Sequence, residues 1–333
     1  MRLRVSVCCV ALLSLASWGV LAPPPTSARL SRVFFQKGVN FTAEWPAGYA
    51  PAAAAAMLDK LRPYGVNAIA LVPYGAARRG EPVLRYSLGM ERADLIEAVA
   101  RVAHQRGIRV LLKPQVWVRG GFPGDLDFPN PSERARWFSA YRGFLEFYAR
   151  LASRCQADVF CVGVEFGKLT RYETEWRSLI ERARELYSGP LTYAANPGPE
   201  FETLRFWDAL DYIGLNDYYP LPDDLSPAEV VRKVAAVQQR FRRPVLFTEV
   251  GFSTFEAPQR APWDETPRKL APQDQARCYE AVFRAFYAQP WFAGMYWWKV
   301  GTDGGGGPDD GGHTPWGKPA MEIVAKWYRS GRR

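Results

Sequence analysis

The chain has 333 residues, 48% of them hydrophobic and 14% aromatic, with a formal net charge of +9. That length suits one large α/β barrel or two smaller domains, and the aromatic share fits either a large core or a sugar-binding cleft. The basic residues stand singly or in pairs, which argues against a nucleic-acid surface, where they cluster. With only His104 and His313, metal or Ser-His chemistry has few candidate ligands.

At the amino terminus, Arg2 and Arg4 precede the apolar run Val5 to Leu15, and Val20-Leu21-Ala22 fits a small-residue cleavage site. Residues 1–28 therefore read as a secretory signal and short leader, with a second cut site after Ala28. The run from Val5 to Ala22 is also long enough to be retained as an anchor, although its serines and the following Pro-Pro-Pro-Thr favour cleavage. Cys8 and Cys9 come too early for a lipoprotein box. No other segment is apolar enough to span a bilayer. The expectation is a secreted or periplasmic, monomeric protein with one domain over residues 29–333. Beyond the leader, Cys155, Cys161 and Cys278 allow at most one disulfide, and their spacing matches no zinc pattern.

After the leader, apolar runs alternate with helical patterns. The strand candidates are Phe34–Phe41, Asn67–Val72, Arg109–Pro114, Val159–Val164, Leu191–Asn196, Tyr212–Asn216, Pro244–Thr248 and Ala293–Trp298. Between them lie helix patterns. The stretch from Pro51 stops at Gly65, and the one from Arg92 stops at Gly107. A third opens on Ser132 as a cap with Glu133 in its first turn. Further helices run about Glu173–Tyr187, Pro227–Phe241, Pro272–Ala288 and Pro319–Tyr328. Near-continuous apolar strands are those of a parallel sheet covered by helices. Eight such units, with no repeat or linker, predict a single (β/α)8 TIM barrel with its site at the carboxyl ends of the strands. An open doubly wound sheet would need a phosphate-binding glycine loop after the first strand, and Gly38 to Trp45 has none.

Two of these strands end in a carboxylate. Glu165 follows the fourth, in CVGVEFGKLT, and Glu249 follows the seventh, in RPVLFTEVGF. Taken alone, either could be a salt bridge or a helix cap. Together they would meet across one mouth. A pair of carboxyl groups roughly 5–5.5 Å apart is the apparatus of a retaining glycosidase, in which one attacks the anomeric carbon and the other supplies and then removes a proton. Two such groups cannot both ionise easily, so one must hold its proton.

Other strand ends carry polar or aromatic groups. Lys113, Gln115 and Trp117 share a face by alternation after the third strand, although Lys113 could instead pair with a structural carboxylate. Asn196 ends the fifth, as a hydroxyl-binding amide or an Asn-Pro turn. Asn216 and Tyr218 alternate together at the sixth. Trp297 and Trp298 end the eighth and point opposite ways. The glycine-rich loop from Gly301 to Gly317 lacks the Gly-Lys-Ser/Thr end of a phosphate cradle. Its Asp309 and Asp310 could hold a cation but read better as solvated acids, and the role of His313 stays open.

Seven stretches in order (KGVNF, GIRVLLKPQVWV, CVGVEFGKLT, LTYAANPGPEF with FWDALDYIGLNDYYPL, RPVLFTEVGF, WFAGMYWWK and TPWGKPAMEIVAKWY) resemble glycoside hydrolase family 113, a β-mannanase family of clan A. The resemblance covers about residues 34–328. It implies hydrolysis of β-1,4-mannosidic links in an oligo- or polysaccharide, without a cofactor or metal, with Glu165 as acid/base and Glu249 as nucleophile. It further implies that Lys113, Gln115 and Trp117 line the sugar site, that Tyr218 touches the nucleophile, and that Trp298 is the shared tryptophan under the sugar. The chain departs from the clan at Val164, where many members carry an asparagine for the sugar's second hydroxyl. It also lacks a tryptophan near Ala194-Ala195, and has Val300 where another aromatic is expected. These departures keep another β-glycan open as substrate. A non-catalytic sugar-binding barrel would usually lose one carboxylate, and both are here. A cell-wall structural protein would show repeats, which are absent.

Overall fold

The computed structural model describes residues 34–78 and 80–331. The leader over residues 1–28, with its cleavage sites, lies outside the described residues. Among the described residues ten strands form: β1 Gln36–Thr42, β2 Ala68–Leu71, β3 Tyr74–Arg78, β4 Arg109–Leu112, β5 Gln115–Arg119, β6 Val159–Val164, β7 Leu191–Ala195, β8 Ile213–Asp217, β9 Val245–Val250 and β10 Phe292–Gly301. Eight of them close a parallel barrel in the order β1-β10-β9-β8-β7-β6-β4-β2. The α-helices are α1 Pro51–Leu61, α2 Ala93–His104, α3 Pro131–Arg154, α4 Glu173–Leu186, α5 Pro199–Thr203, α6 Ala228–Phe241, α7 Pro272–Phe286 and α8 Pro319–Arg329. The predicted TIM barrel is thus the observed fold, and β6 and β9 are its fourth and seventh strands.

Alternation along the strands builds two apolar layers. Ala68, Ala70, Leu111, Val159, Cys161, Leu246 and Tyr296 fill the inside of the barrel. Ile69, Leu71, Val110, Leu112, Phe160 and Phe247 face outward into the shell beneath the helices. Each helix lays an apolar face on that shell, as α2 does with Ile96, Val99, Ala100 and Ala103. Cys155, Cys161 and Cys278 are buried and unpaired, so no disulfide joins them.

The sequence expectation is corrected in three places. Strands β3 and β5 were not foreseen. Pro73 and Pro114 each interrupt a barrel strand, because proline offers no N–H to the ladder. The chain beyond each proline pairs with the other as a separate two-stranded parallel sheet. Helix α3 is capped by Asn130, whose side chain accepts from the N–H groups of Ser132 and Glu133, with Pro131 at the first helical position. The last strand runs on to Gly301, three residues past its predicted end at Trp298. Among the described residues, no helix is long and apolar enough to cross a membrane.

Candidate active site

The site is built at the carboxyl ends of the barrel strands, where two strands break step. In β9, Phe247 lies opposite Leu215 of β8, but the next residue of β8, Asn216, lies opposite Glu249. Thr248 is the extra residue of a bulge. Phe247 packs outward on Phe286 and Phe292, so strict alternation would turn Glu249 outward as well. The bulge resets the phase and brings Glu249 to the mouth. In β6 the register likewise slips between Cys161 and Val164 against β7. Gly163 absorbs the slip: a Cβ there would stand 2.8 Å from both Trp176 and Tyr193. The next turn places Glu165 at φ +55°, a conformation that costs a bulky residue about 1–2 kcal/mol and is retained where the surroundings enforce it.

Glu249 is 5% exposed and its carboxylate accepts three hydrogen bonds. Lys113 Nζ at 2.5 Å and Gln115 Nε2 at 2.6 Å donate to Oε1, and the Tyr218 hydroxyl at 3.0 Å donates to Oε2. Burial and the nearby glutamates push the Tyr218 phenol well above its usual range, so it stays a donor. This surrounding suits an anion. Glu165 is half-buried and receives one donor, Asn216 Nδ2, at 3.0 Å. Burial, then the charge of Glu249, hold the Glu165 carboxyl well above the usual carboxylate range. Glu165 is thus set to hold a proton beside a carboxylate that three donors surround.

A cavity of about 640 Å³ opens over them. Of the residues singled out in the sequence, Glu165, Glu249, Gln115, Asn196, Tyr218 and Trp298 line it. Lys113 and Asn216 are fully buried and reach the two carboxylates rather than the cavity. Trp298 is half-buried with Lys113 Nζ 5.2 Å from its ring centre, whereas Trp297 is fully buried and stacked on Tyr279 at 3.7 Å. Trp117 is the exception. It is 55% exposed on β5, two residues beyond Gln115 and outside the cavity lining.

Several lining groups were not foreseen: Phe122, Pro197, Trp263 and Glu265. They sit on loops, where no periodicity marks them. His313, left open by the sequence, lines the cavity too. Its Nε2 donates to the Pro262 carbonyl at 2.6 Å, and its Nδ1 lies 2.5 Å from Glu265 Oε1, tying the loop that carries Trp263 to the loop after β10. The hydrogen bond from His313 holds the Glu265 carboxyl below its usual range. A second cavity, about 610 Å³, adjoins the first and shares Phe122, Asn196 and Pro197 with it. Asp310 pairs with the buried Lys318 at 2.8 Å, and Asp309 is exposed. Among the described residues, no cluster of three His, Cys, Asp or Glu could hold a metal ion.

The model of glycoside hydrolase family 113 matches residues 40–303. The chain belongs to that family. Among solved structures, it is similar to the family 113 β-mannanase AaManA from Alicyclobacillus acidocaldarius in complex with ManMIm, at 31% identity, TM-score 0.82, over 89% of this chain and 97% of that one. A second family 113 enzyme, a β-1,4-mannanase solved as a complex, is 24% identical with TM-score 0.81, over 90% and 100% of the two chains. The barrel of the Faecalibacterium prausnitzii β-glucuronidase is similar in fold alone, at 15% identity and TM-score 0.65, over 90% of this chain and 49% of that one. No curated protein matches. This family 113 member is therefore a glycoside hydrolase, and the paired carboxylates lie where such an enzyme carries out its chemistry.

Proposed function

We propose that the chain is a retaining endo-β-1,4-mannanase in which Glu249 is the nucleophile and Glu165 the acid/base. The observation that carries the assignment is the unequal support of the two groups: three donors, one of them a lysine ammonium, on Glu249 and a single amide on Glu165. In the first step the Glu249 carboxylate attacks the anomeric carbon while Glu165 gives its proton to the departing glycosidic oxygen. The deprotonated Glu165 then takes a proton from a water, whose oxygen displaces Glu249 from the sugar. Lys113, Gln115 and Tyr218 hold the nucleophile still. Trp298 offers a flat apolar face to the ring's C–H groups, and the side-chain amide of Asn196 faces the same space.

Similarity to two β-mannanases along nearly their whole length supports mannose as the sugar. The adjoining cavities support endo action, because a glycan seated in the first can continue past Phe122 and Pro197 into the second. Export of a monomer by way of the amino-terminal leader accords with a polymer substrate too large to enter a cell.

Incubation with mannan, glucan, xylan and chitosan oligosaccharides, followed by product analysis and NMR of the first-formed anomer, tests this reading. Internal cleavage of mannan with retention is expected. Inversion, or turnover of another panel member alone, would overturn it. Chemical rescue separates the roles: azide should yield the β-glycosyl azide with Glu165→Ala and the α-glycosyl azide with Glu249→Ala. Swapped products would reverse the assignment.

A further inference from the structure

Behind Glu165 lies a third carboxylate that this mechanism leaves unused. Glu200, on the short helix α5, is 7% exposed at the back of the second cavity. Its Oε1 accepts from the Tyr193 hydroxyl at 2.5 Å, and that hydroxyl accepts the N–H of Phe166, the residue after Glu165, at 2.8 Å. Its Oε2 accepts the N–H of Asn196 at 2.9 Å. One carboxylate therefore ties together the turn that aims Glu165 and the strand end that presents Asn196. Tyr193 is itself fixed, fully buried with its ring edge-on to Trp176 at 5.2 Å. Each donor takes its own oxygen, which an amide side chain, with a single acceptor oxygen, does not offer. The carboxylate that does offer it also brings a charge that acts on Glu165.

We infer that Glu200 is a positioning residue for the acid/base: it clamps the Glu165 turn from behind and sets a negative charge next to it. The inference rests on Glu165 being the acid/base. The charged and titratable groups that act on Glu165 are Glu249 on β9, Lys113 after β4, Glu200 on α5, and the phenols of Tyr74 and Tyr218. Glu200 also shares the second cavity with Asp125, Lys168, Arg171, Glu173 and Arg205. Burial pushes the Glu200 carboxyl up to about 7, against the pull of the Tyr193 and Asn196 donors. Its charge is thus present on the alkaline side of neutrality, where loss of the Glu165 proton limits the reaction. There it opposes a second negative charge and keeps the acid protonated to higher pH.

The test is the pH profile of kcat/KM on an oligosaccharide for the full enzyme, Glu200→Gln and Glu200→Asp. Glu200→Gln keeps the reach, removes the charge and turns an amide N–H2 toward one of the two donors. Its basic limb should move down by at least about half a pH unit, roughly a threefold loss of rate on that limb. Glu200→Asp keeps the charge and withdraws the oxygens. It should hold its basic limb but lose ~10-fold or more in kcat, with little change in KM, as the turn slackens. A basic limb unmoved in Glu200→Gln, or wild-type kcat in Glu200→Asp, overturns the inference. If Glu200→Gln fails to fold, Glu200→Asp decides it alone. A cycle in the Glu165→Ala background uses an aryl glycoside whose leaving group needs no proton. Glu200→Gln should there add no further shift, and an undiminished shift would also sink the inference. If Glu165→Ala slows activated and unactivated substrates equally, the acid/base reading itself fails, which is a different outcome.

Discussion

The Thr248 hydroxyl donates to Asn216 Oδ1 at 2.8 Å and so turns the Asn216 amide N–H toward Glu165. Thr248 is the bulged residue immediately before Glu249, so one strand irregularity both aims Glu249 and orients the single donor on the Glu165 carboxyl. Its carbonyl is held in turn by Asn40 Nδ2 at 3.1 Å. The relative placement of the two carboxylates is therefore set by a chain of buried hydrogen bonds, not by the loops.

Removing that donor has a definite sign. The Asn216 N–H favours the charged form of Glu165, so its loss raises the carboxyl's pKa further. Asn216→Ala should move the basic limb of kcat/KM to higher pH by about half a unit or more, opposite to the shift expected for Glu200→Gln. Thr248→Val should shift it the same way by less, and should lower stability by about 1 kcal/mol for the lost hydrogen bond. The pH profiles of the two variants and their denaturant midpoints check this. A downward shift in either would contradict the donor's role.

Lys113 and Glu249 form an ion pair with side chains 0% and 7% exposed. Breaking it leaves a buried carboxylate without its cation, which in other proteins costs about 3–5 kcal/mol. Lys113→Met should lower stability by that order. In molecules that remain folded, kcat should fall by ~10-fold or more, because Glu249 is no longer held in place. Calorimetry and kcat are the measurements. A stable, fully active Lys113→Met would mean that Gln115 and Tyr218 suffice.

The barrel and both glutamates were legible because each carboxylate closes an apolar run, and a run of that kind needs no register to be recognised. Register was what the sequence concealed. Alternation puts Trp117 on the face of Gln115, and the burial of β5 alternates in that phase, yet Trp117 stands beyond the cavity on a strand that pairs with β3 alone. Alternation joined Asn216 to Tyr218 correctly, but burial divides their contacts: Asn216 lies under Glu165, and Tyr218 opens on the cavity. Glu200 sits after Asn196-Pro197-Gly198, where a lone acid reads as a turn residue. Only the fold shows that Tyr193 and the Asn196 amide converge on it. His313 and Glu265 come from different loops, so their pairing leaves no local signal.

Asp217, between Asn216 and Tyr218, offers a test of pH-dependent stability. It is 5% exposed, its Oδ1 has no hydrogen-bond partner, and burial pushes its carboxyl up to about 7. Between its ordinary value of 3.8 and about 7, the folded chain holds a proton that the unfolded chain releases. Its contribution is therefore most favourable at low pH and is lost as pH rises through about 7. Asp217→Asn should raise Tm by ~2–4 °C at pH 8, and the gain should vanish near pH 4. A gain independent of pH would assign the effect to packing instead.

The adjacent tryptophans of β10 should fail in different ways. Trp297 is fully buried on the outer face, stacked on Tyr279 at an interplanar angle of 11° and 5.1 Å from Phe283 between ring centres. Its loss empties a packed site between barrel and helices, so Trp297→Ala should cost about 3–5 kcal/mol of stability. Its indole N–H has no hydrogen-bond partner, so the loss is one of packing alone. Trp298, one residue on, turns to the cavity beside Glu249. Trp298→Ala should leave folding largely intact and lower kcat/KM about a hundredfold, equivalent to ~2.7 kcal/mol at the transition state. Thermal midpoints and kinetics measured side by side decide between the roles. If Trp297→Ala stays folded but loses activity while Trp298→Ala unfolds, the two faces of β10 are the reverse of those described.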